Sequence, residues 1–209
     1  MSKNSDMKSM LKDALILFVI TLIAGVTLGF VYELTKEPIR LQQEKAIQDA
    51  CREVFAEYAD TELQFVEENY APDAGKQAEL AEIGVKIGTV YAAMSQNGTL
   101  CGYVVESTTT EGYGGNIVLY VGVTTQGAVS GVSILEISET PGLGMNAESV
   151  LVPQFKGVET SVFTYTKTGS TIDSEIDAIT GATITTEAIV KAVNGAISVV
   201  LEDMMKGGE

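Results

Sequence analysis

The chain has 209 residues, 28 acidic against 13 basic, and a formal charge of −15, a length that holds one ordinary domain plus an anchoring segment. It contains no histidine, no tryptophan and two cysteines, Cys51 and Cys101. These counts exclude a histidine-assisted nucleophile, a histidine-ligated haem, an imidazole zinc site and a four-thiolate iron–sulfur cluster; no metal site is expected, and redox work would need an organic cofactor. The acidic balance argues against nucleic acid as a partner, because that binding rests on clustered Lys and Arg.

Residues 14–32 carry no charge over 19 positions rich in Leu, Ile, Val, Phe and Ala. As a helix they span about 28 Å, close to the ~30 Å hydrocarbon core of a bilayer. Lys8, Lys12 and Asp13 stop the run on one side, and Tyr32 stands at an interfacial position before Glu33 on the other. A secretory signal is the competing reading. The run exceeds a signal's ~7 to 15 apolar residues, and Tyr32-Glu33-Leu34-Thr35 offers no small-residue cleavage site. Residues 14–32 are therefore expected to be a transmembrane helix, with 1–13 before it. Lysines and arginines lie on both sides, so charge alone does not orient it.

Residues 33–60 are expected to be a helical linker. After Pro38, Ile47, Ala50, Cys51, Val54, Phe55 and Tyr58 fall at spacings of three and four among polar residues. Residues 61–209 are expected to form one domain. Within it, 69–76 reads as a loop around Pro72 and Gly75. Runs at 85–94, 100–106, 117–123 and 129–137 are rich in β-branched and aromatic residues, and Asn97-Gly98 between the first two signals a hairpin. A helix is expected over 147–154, a strand over 162–167 and a final helix after Thr183. The fold class is α+β: a single N-terminal transmembrane helix, then one domain with a mostly antiparallel sheet and flanking helices.

The most unusual stretch opens that last helix: Asp177-Ala-Ile-Thr180-Gly181-Ala182-Thr183-Ile-Thr185-Thr186. Ile189, Val193, Ile197, Val200 and Met204 share one helical face after it. Threonines make good N-caps, so a plain cap is one reading. The other is an anion site, where free N–H groups and the helix dipole favour phosphate and Gly181 and Ala182 leave room for it.

The string Asp177 to Thr183 resembles the flavinylation signature of the covalent-flavin subunits of Rnf and sodium-pumping NADH:quinone oxidoreductase complexes. Glu139-Thr140-Pro141-Gly142-Leu143-Gly144 is similar to a second string of that family, and Gly112-Tyr113-Gly114-Gly115-Asn116-Ile117 to a third, with Asn116 in place of proline. The resemblance covers nearly the whole chain, and its shortness favours the G-type subunit of the Rnf complex. It implies FMN joined by a phosphoester to Thr183, placed there by a flavin transferase that recognises Asp177. It further implies that Thr180, Gly181, Ala182, Glu139, Thr140, Gly142, Leu143, Gly144 and Tyr113 surround the flavin, with Leu143 or Met145 over the ring. The implied partners are the other Rnf subunits, in a membrane complex that couples ferredoxin oxidation and NAD reduction to Na⁺ or H⁺ transport. The domain would face away from the cytoplasm, leaving 1–13 inside. A flavin-binding scaffold and the equivalent subunit of the quinone-reducing pump are the alternatives.

Overall fold

The computed structural model describes residues 3–58 and 62–205. The linker-to-domain boundary expected at 60/61 lies outside the described residues. The chain divides into two units, one ending at Lys45 and one beginning at Ala46.

Helix α1 runs Lys3–Val54 without interruption. Its apolar stretch is uncovered by the protein, with Leu15, Phe18 and Leu28 all exposed. Thr21 and Thr27 turn their hydroxyls onto the carbonyls of Leu17 (3.0 Å) and Ile23 (2.8 Å) of their own helix. That is how hydroxyls are satisfied where no water is available. Beyond the stretch, Lys36–Glu33 (2.6 Å), Arg40–Glu37 (2.8 Å) and Arg40–Glu44 (2.5 Å) brace the exposed helix surface. The helix expected to begin after Pro38 is part of α1: Pro38 removes one N–H, and the turns on either side carry the helix through.

The second unit is built on a five-stranded antiparallel meander, in spatial order β1 (Gln64–Glu68), β2 (Val85–Met94), β3 (Leu100–Thr109), β4 (Ile117–Thr124) and β5 (Val129–Glu136). Gly98 supplies the positive φ of 75° that the β2–β3 hairpin needs. Both faces are covered. On one, Val105, Leu119, Val121 and Val123 meet Ile189, Val193 and Ile197 of α5 (Thr183–Ser198). On the other, Ala93, Val104 and Tyr120 meet Ala50, Cys51, Val54 and Phe55 at the end of α1. Residues 104 and 105 thus serve opposite layers, as strand alternation dictates.

Three expectations need correction. Residues 69–76 are not all loop, because α2 (Ala74–Glu82) starts there, capped by Asp73, whose Oδ1 accepts the Lys76 N–H at 2.7 Å. The helix expected over 147–154 is two short pieces, α3 (Ala147–Val150) and α4 (Val152–Phe155), since Pro153 sits in the first turn of the second. The strand near 162–167 is β6 (Thr164–Thr166), which pairs in parallel with an unforeseen β7 (Glu175–Asp177). Both cysteines are free thiols. Helix α5 continues as a π-helical turn, Val199–Met204, and two thirds of this apolar stretch is buried, which marks it as the core helix.

Candidate functional site

Pairing of Val118 with Glu136 and of Thr109 with Ile117 places the β3–β4 loop and the exit of β5 at one end of the sheet. Three segments meet there: the glycine loop at 112–115, the turn at 139–144 and the start of α5. Thr140-Pro141-Gly142-Leu143 closes with the Leu143 N–H on the Thr140 carbonyl at 3.1 Å, and Gly142 has φ 77°. This is a type II turn, proline second and glycine third. Ile179-Thr180-Gly181-Ala182 repeats the pattern, with Ala182 N–H on the Ile179 carbonyl at 3.0 Å and Gly181 at φ 80°. The two turns touch: a Cβ on Gly181 would lie 3.2 Å from Leu143 Cδ2.

Between them lies a cavity of about 500 Å³ lined by Tyr113, Glu139, Thr140, Leu143, Gly144, Gly181, Ala182, Thr183, Ile184 and Thr185. Eight residues singled out from sequence therefore share one wall system. Thr180 and Gly142 lie just outside the lining, and Met145 is half-exposed beside it. Asp177 is elsewhere, exposed at the end of β7. Its Oδ1 accepts the Ser170 N–H at 2.6 Å, and its backbone N–H and C=O are held by Gln154 at 2.7 and 3.2 Å. A larger depression of about 870 Å³ runs beside Ser170 along 170–175, and holds none of the motif residues.

The four threonines divide their work. Thr186 Oγ1 donates to the Ala182 carbonyl at 3.0 Å and accepts the Ile179 N–H at 3.2 Å, and buried Thr185 donates to Glu139 Oε2 at 3.0 Å. Thr180 is exposed. Thr183 is half-buried, and among the described residues its hydroxyl has no hydrogen-bond partner. The N-cap is Ala182, with no side-chain cap, so the plain-cap reading of the threonines fails. The first turn has no side-chain capping oxygen, and its residues Thr183, Ile184 and Thr185 line the cavity, the condition that favours an anion.

An ion-pair clamp holds the residue that leads into the glycine loop. Lys191 of α5 reaches Glu111 at 2.6 Å and Glu187 at 3.0 Å, and Tyr165 donates to Glu187 at 3.1 Å. The Lys191 ammonium, and then the Tyr165 hydroxyl, hold the Glu187 carboxyl below its ordinary value, while Glu111 and Glu187 raise Lys191. Ile184 and Thr185 are lining residues that the sequence reading did not assign. Their signal was the helical register: they are the next two residues of the turn that presents Thr183.

Residues 112–198 match the FMN-binding domain family, and residues 1–54 match the RnfG N-terminal region. The G-type subunit of the Na⁺-translocating ferredoxin:NAD⁺ oxidoreductase complex of Acetobacterium woodii is 33% identical, covering 93% of both chains. Its counterpart in the ion-translocating oxidoreductase complex of Methanosarcina acetivorans is 30% identical, over 94% of this chain and 97% of the other. The corresponding subunit of the proton-translocating ferredoxin:NAD⁺ oxidoreductase complex of Clostridium ljungdahlii is 34% identical over 94% and 95%. The crystal structure of NqrC from Shewanella oneidensis is 21% identical, covers 57% of this chain and 61% of that one, and gives a TM-score of 0.48. By its full-length relatives, the chain belongs to the family of G-type subunits of ion-translocating oxidoreductase complexes.

Proposed function

We propose that this chain is the electron-carrying subunit of a membrane ferredoxin:NAD oxidoreductase complex that couples electron transfer to Na⁺ or H⁺ transport, and that its FMN is covalently joined to Thr183. The observation that carries the proposal is the uncapped start of α5, where the half-buried, unpartnered Thr183 hydroxyl lines a cavity between two glycine turns, within a chain that matches the FMN-binding domain family.

The residues fit this cofactor. The first-turn N–H groups of α5 would hold its phosphate, and Tyr113, Leu143 and Ile184 would cover its apolar body. None of the lining residues is Lys or Arg. A phosphate monoester brings a charge of about −1.5 to −2 at neutral pH, whereas an ester to Thr183 leaves about one negative charge, better matched to the ~+0.5 of a helix dipole. Attachment would proceed by attack of Thr183 Oγ on the flavin-side phosphorus of flavin adenine dinucleotide, breaking the pyrophosphate bond and releasing adenosine monophosphate. The flavin transferase would take the proton, since no histidine stands in this chain. When bound, the flavin supplies one- and two-electron transfer. The protein positions it, excludes water and keeps it from dissociating.

The same reading places 14–32 in the membrane, 1–13 in the cytoplasm, 33–60 as the linker and 61–209 on the extracytoplasmic side, with Asp177 as the transferase's recognition point outside the cavity. The other complex subunits supply the ion path, because residues 14–32 contain no Asp, Glu, Lys or Arg.

The test is mass spectrometry of protein purified from membranes of a host with the transferase. A mononucleotide adduct on the Thr183 peptide is expected, and Thr183→Val should abolish it while the melting temperature moves by no more than about 2–4 °C, the shift of a ~1 kcal/mol change in a domain of this size. Unmodified Thr183 in the wild-type chain would overturn the covalent reading.

A further inference from the structure

Glu139 is a buried carboxyl group at the floor of the cavity. Its two oxygens point in different directions: Oε1 accepts the Gly114 N–H at 3.2 Å, and Oε2 accepts the Thr185 hydroxyl at 3.0 Å. One side chain thus ties together three segments far apart in sequence. Among the described residues no lysine or arginine forms an ion pair with it, so its burial rests on these two donors and on the positive end of α5 nearby.

Glycines are fitted around this group. A Cβ on Gly112 would run into the Gly115 carbonyl and stand 2.8 Å from Glu139 Oε1, and one on Gly144 would stand 2.7 Å from both Glu139 Cβ and Thr185 Oγ1. A Cβ on Gly114 would run into the Ser138 carbonyl. The glycines of two motifs therefore have a steric reason that is independent of any ligand. They let the loop, the turn and the helix close on one carboxyl group.

We propose that Glu139 is a positioning residue: through Gly114 and Thr185 it locks the glycine loop to the first turn of α5 and so fixes where the Thr183 hydroxyl is presented for modification. The consequence for modification rests on the covalent-flavin reading; the brace itself does not. Glutamine can keep both contacts, its oxygen accepting from Gly114 and its amide donating to the Thr185 hydroxyl, which as a rotor can accept. Alanine keeps neither.

The experiment uses the full chain in lipid nanodiscs and two readouts. Hydrogen exchange of the peptide containing Gly114, measured without flavin, should accelerate about tenfold or more in Glu139→Ala, the loss expected when a buried polar contact of this kind is removed, and Glu139→Gln should recover most of the protection. The rate of adduct formation at Thr183 with transferase and flavin adenine dinucleotide should follow the same order. Thr185→Val, which deletes one of the two donors and leaves Glu139 in place, should fall between, and carries the comparison if the alanine variant does not fold. Unchanged exchange in Glu139→Ala or Thr185→Val overturns the brace. So does a Glu139→Gln variant as poor as alanine, since position would then matter less than charge. A wild-type chain that shows the exchange pattern but takes up no flavin keeps the brace and overturns the covalent reading instead.

Discussion

Cys51 and Cys101 look alike in sequence and differ in chemistry. Cys51 is 1% exposed against Tyr120 and Val104, and burial pushes its thiol up to about 12. Cys101 is half-exposed near the start of β3. The thiolate is the nucleophile, so at pH 8 only about one Cys51 in ten thousand is reactive, before access is considered. Iodoacetamide at pH 8 should label Cys101 in the native chain and leave Cys51 unlabelled until urea is added, as peptide mass spectrometry would show; native labelling of Cys51 would mean that the end of α1 opens from the sheet. The same scale limits what sequence can say of the threonines. Their crowding before α5 was visible in the string, but the division of labour was not. Thr185 is spoken for by Glu139, 46 residues earlier, and such a pairing leaves no periodic trace. Thr183 stands out only once Thr185 and Thr186 have found partners and Thr180 is seen to lie exposed, outside the cavity lining.

Elements with a strong period were legible, and elements held by neighbours were not. Strands β2 to β5 follow from β-branched runs and the Asn97-Gly98 turn. β1 is a mostly exposed edge strand with only Phe65 half-buried, so pairing with β2 rather than apolar alternation makes it a strand. α2 depends on its Asp73 cap, a local signal masked by Pro72 and Gly75. Less visible still was the seat for the end of α1. Gly102, Gly122 and Gly131 sit on β3, β4 and β5, with Gly122 and Gly131 in register. A Cβ on Gly131 would stand 2.8 Å from the Val54 carbonyl, and one on Gly122 3.0 Å from Val54 Cγ2. A methyl there must push backbone away, because the neighbour is a carbonyl and not a flexible tip. Gly131→Ala should cost about 1–3 kcal/mol as overpacking, which for a domain of this size lowers the melting temperature by about 2–12 °C. It should also raise native labelling of Cys51. A variant with wild-type melting and a silent Cys51 would show that the helix end is not seated on these glycines.

On the scale of the whole chain, two apolar helices answer to different solvents. The first, with a mean hydropathy of 2.7 over its most apolar window, is not buried at all in the protein; the second, at 1.4, is 67% buried. Hydropathy separates them only weakly, and burial separates them cleanly, because α5 has a sheet to cover it. The last turns of α1 belong with the covered class. Ala50, Cys51, Val54 and Phe55 are each at most 4% exposed, and the folding unit begins at Ala46. A fragment from Ala46 onward should therefore stay in aqueous solution and melt cooperatively. A fragment from Glu62 onward would strip the cover from Ala93, Val104 and Tyr120. Burial of a large apolar side chain is worth about 1.5–3 kcal/mol, so losing Val54 and Phe55 alone removes several kcal/mol from a total that for ordinary domains is about 5–15. The shorter fragment should aggregate or melt at least about 6 °C lower. Equal melting of the two fragments would show that the α1 end adds nothing to the fold. If instead the longer fragment alone is stable, the end of the long apolar helix is also a structural layer of the domain, and the cavity at the far end of β3 and β4 is built on a sheet that this helix end completes.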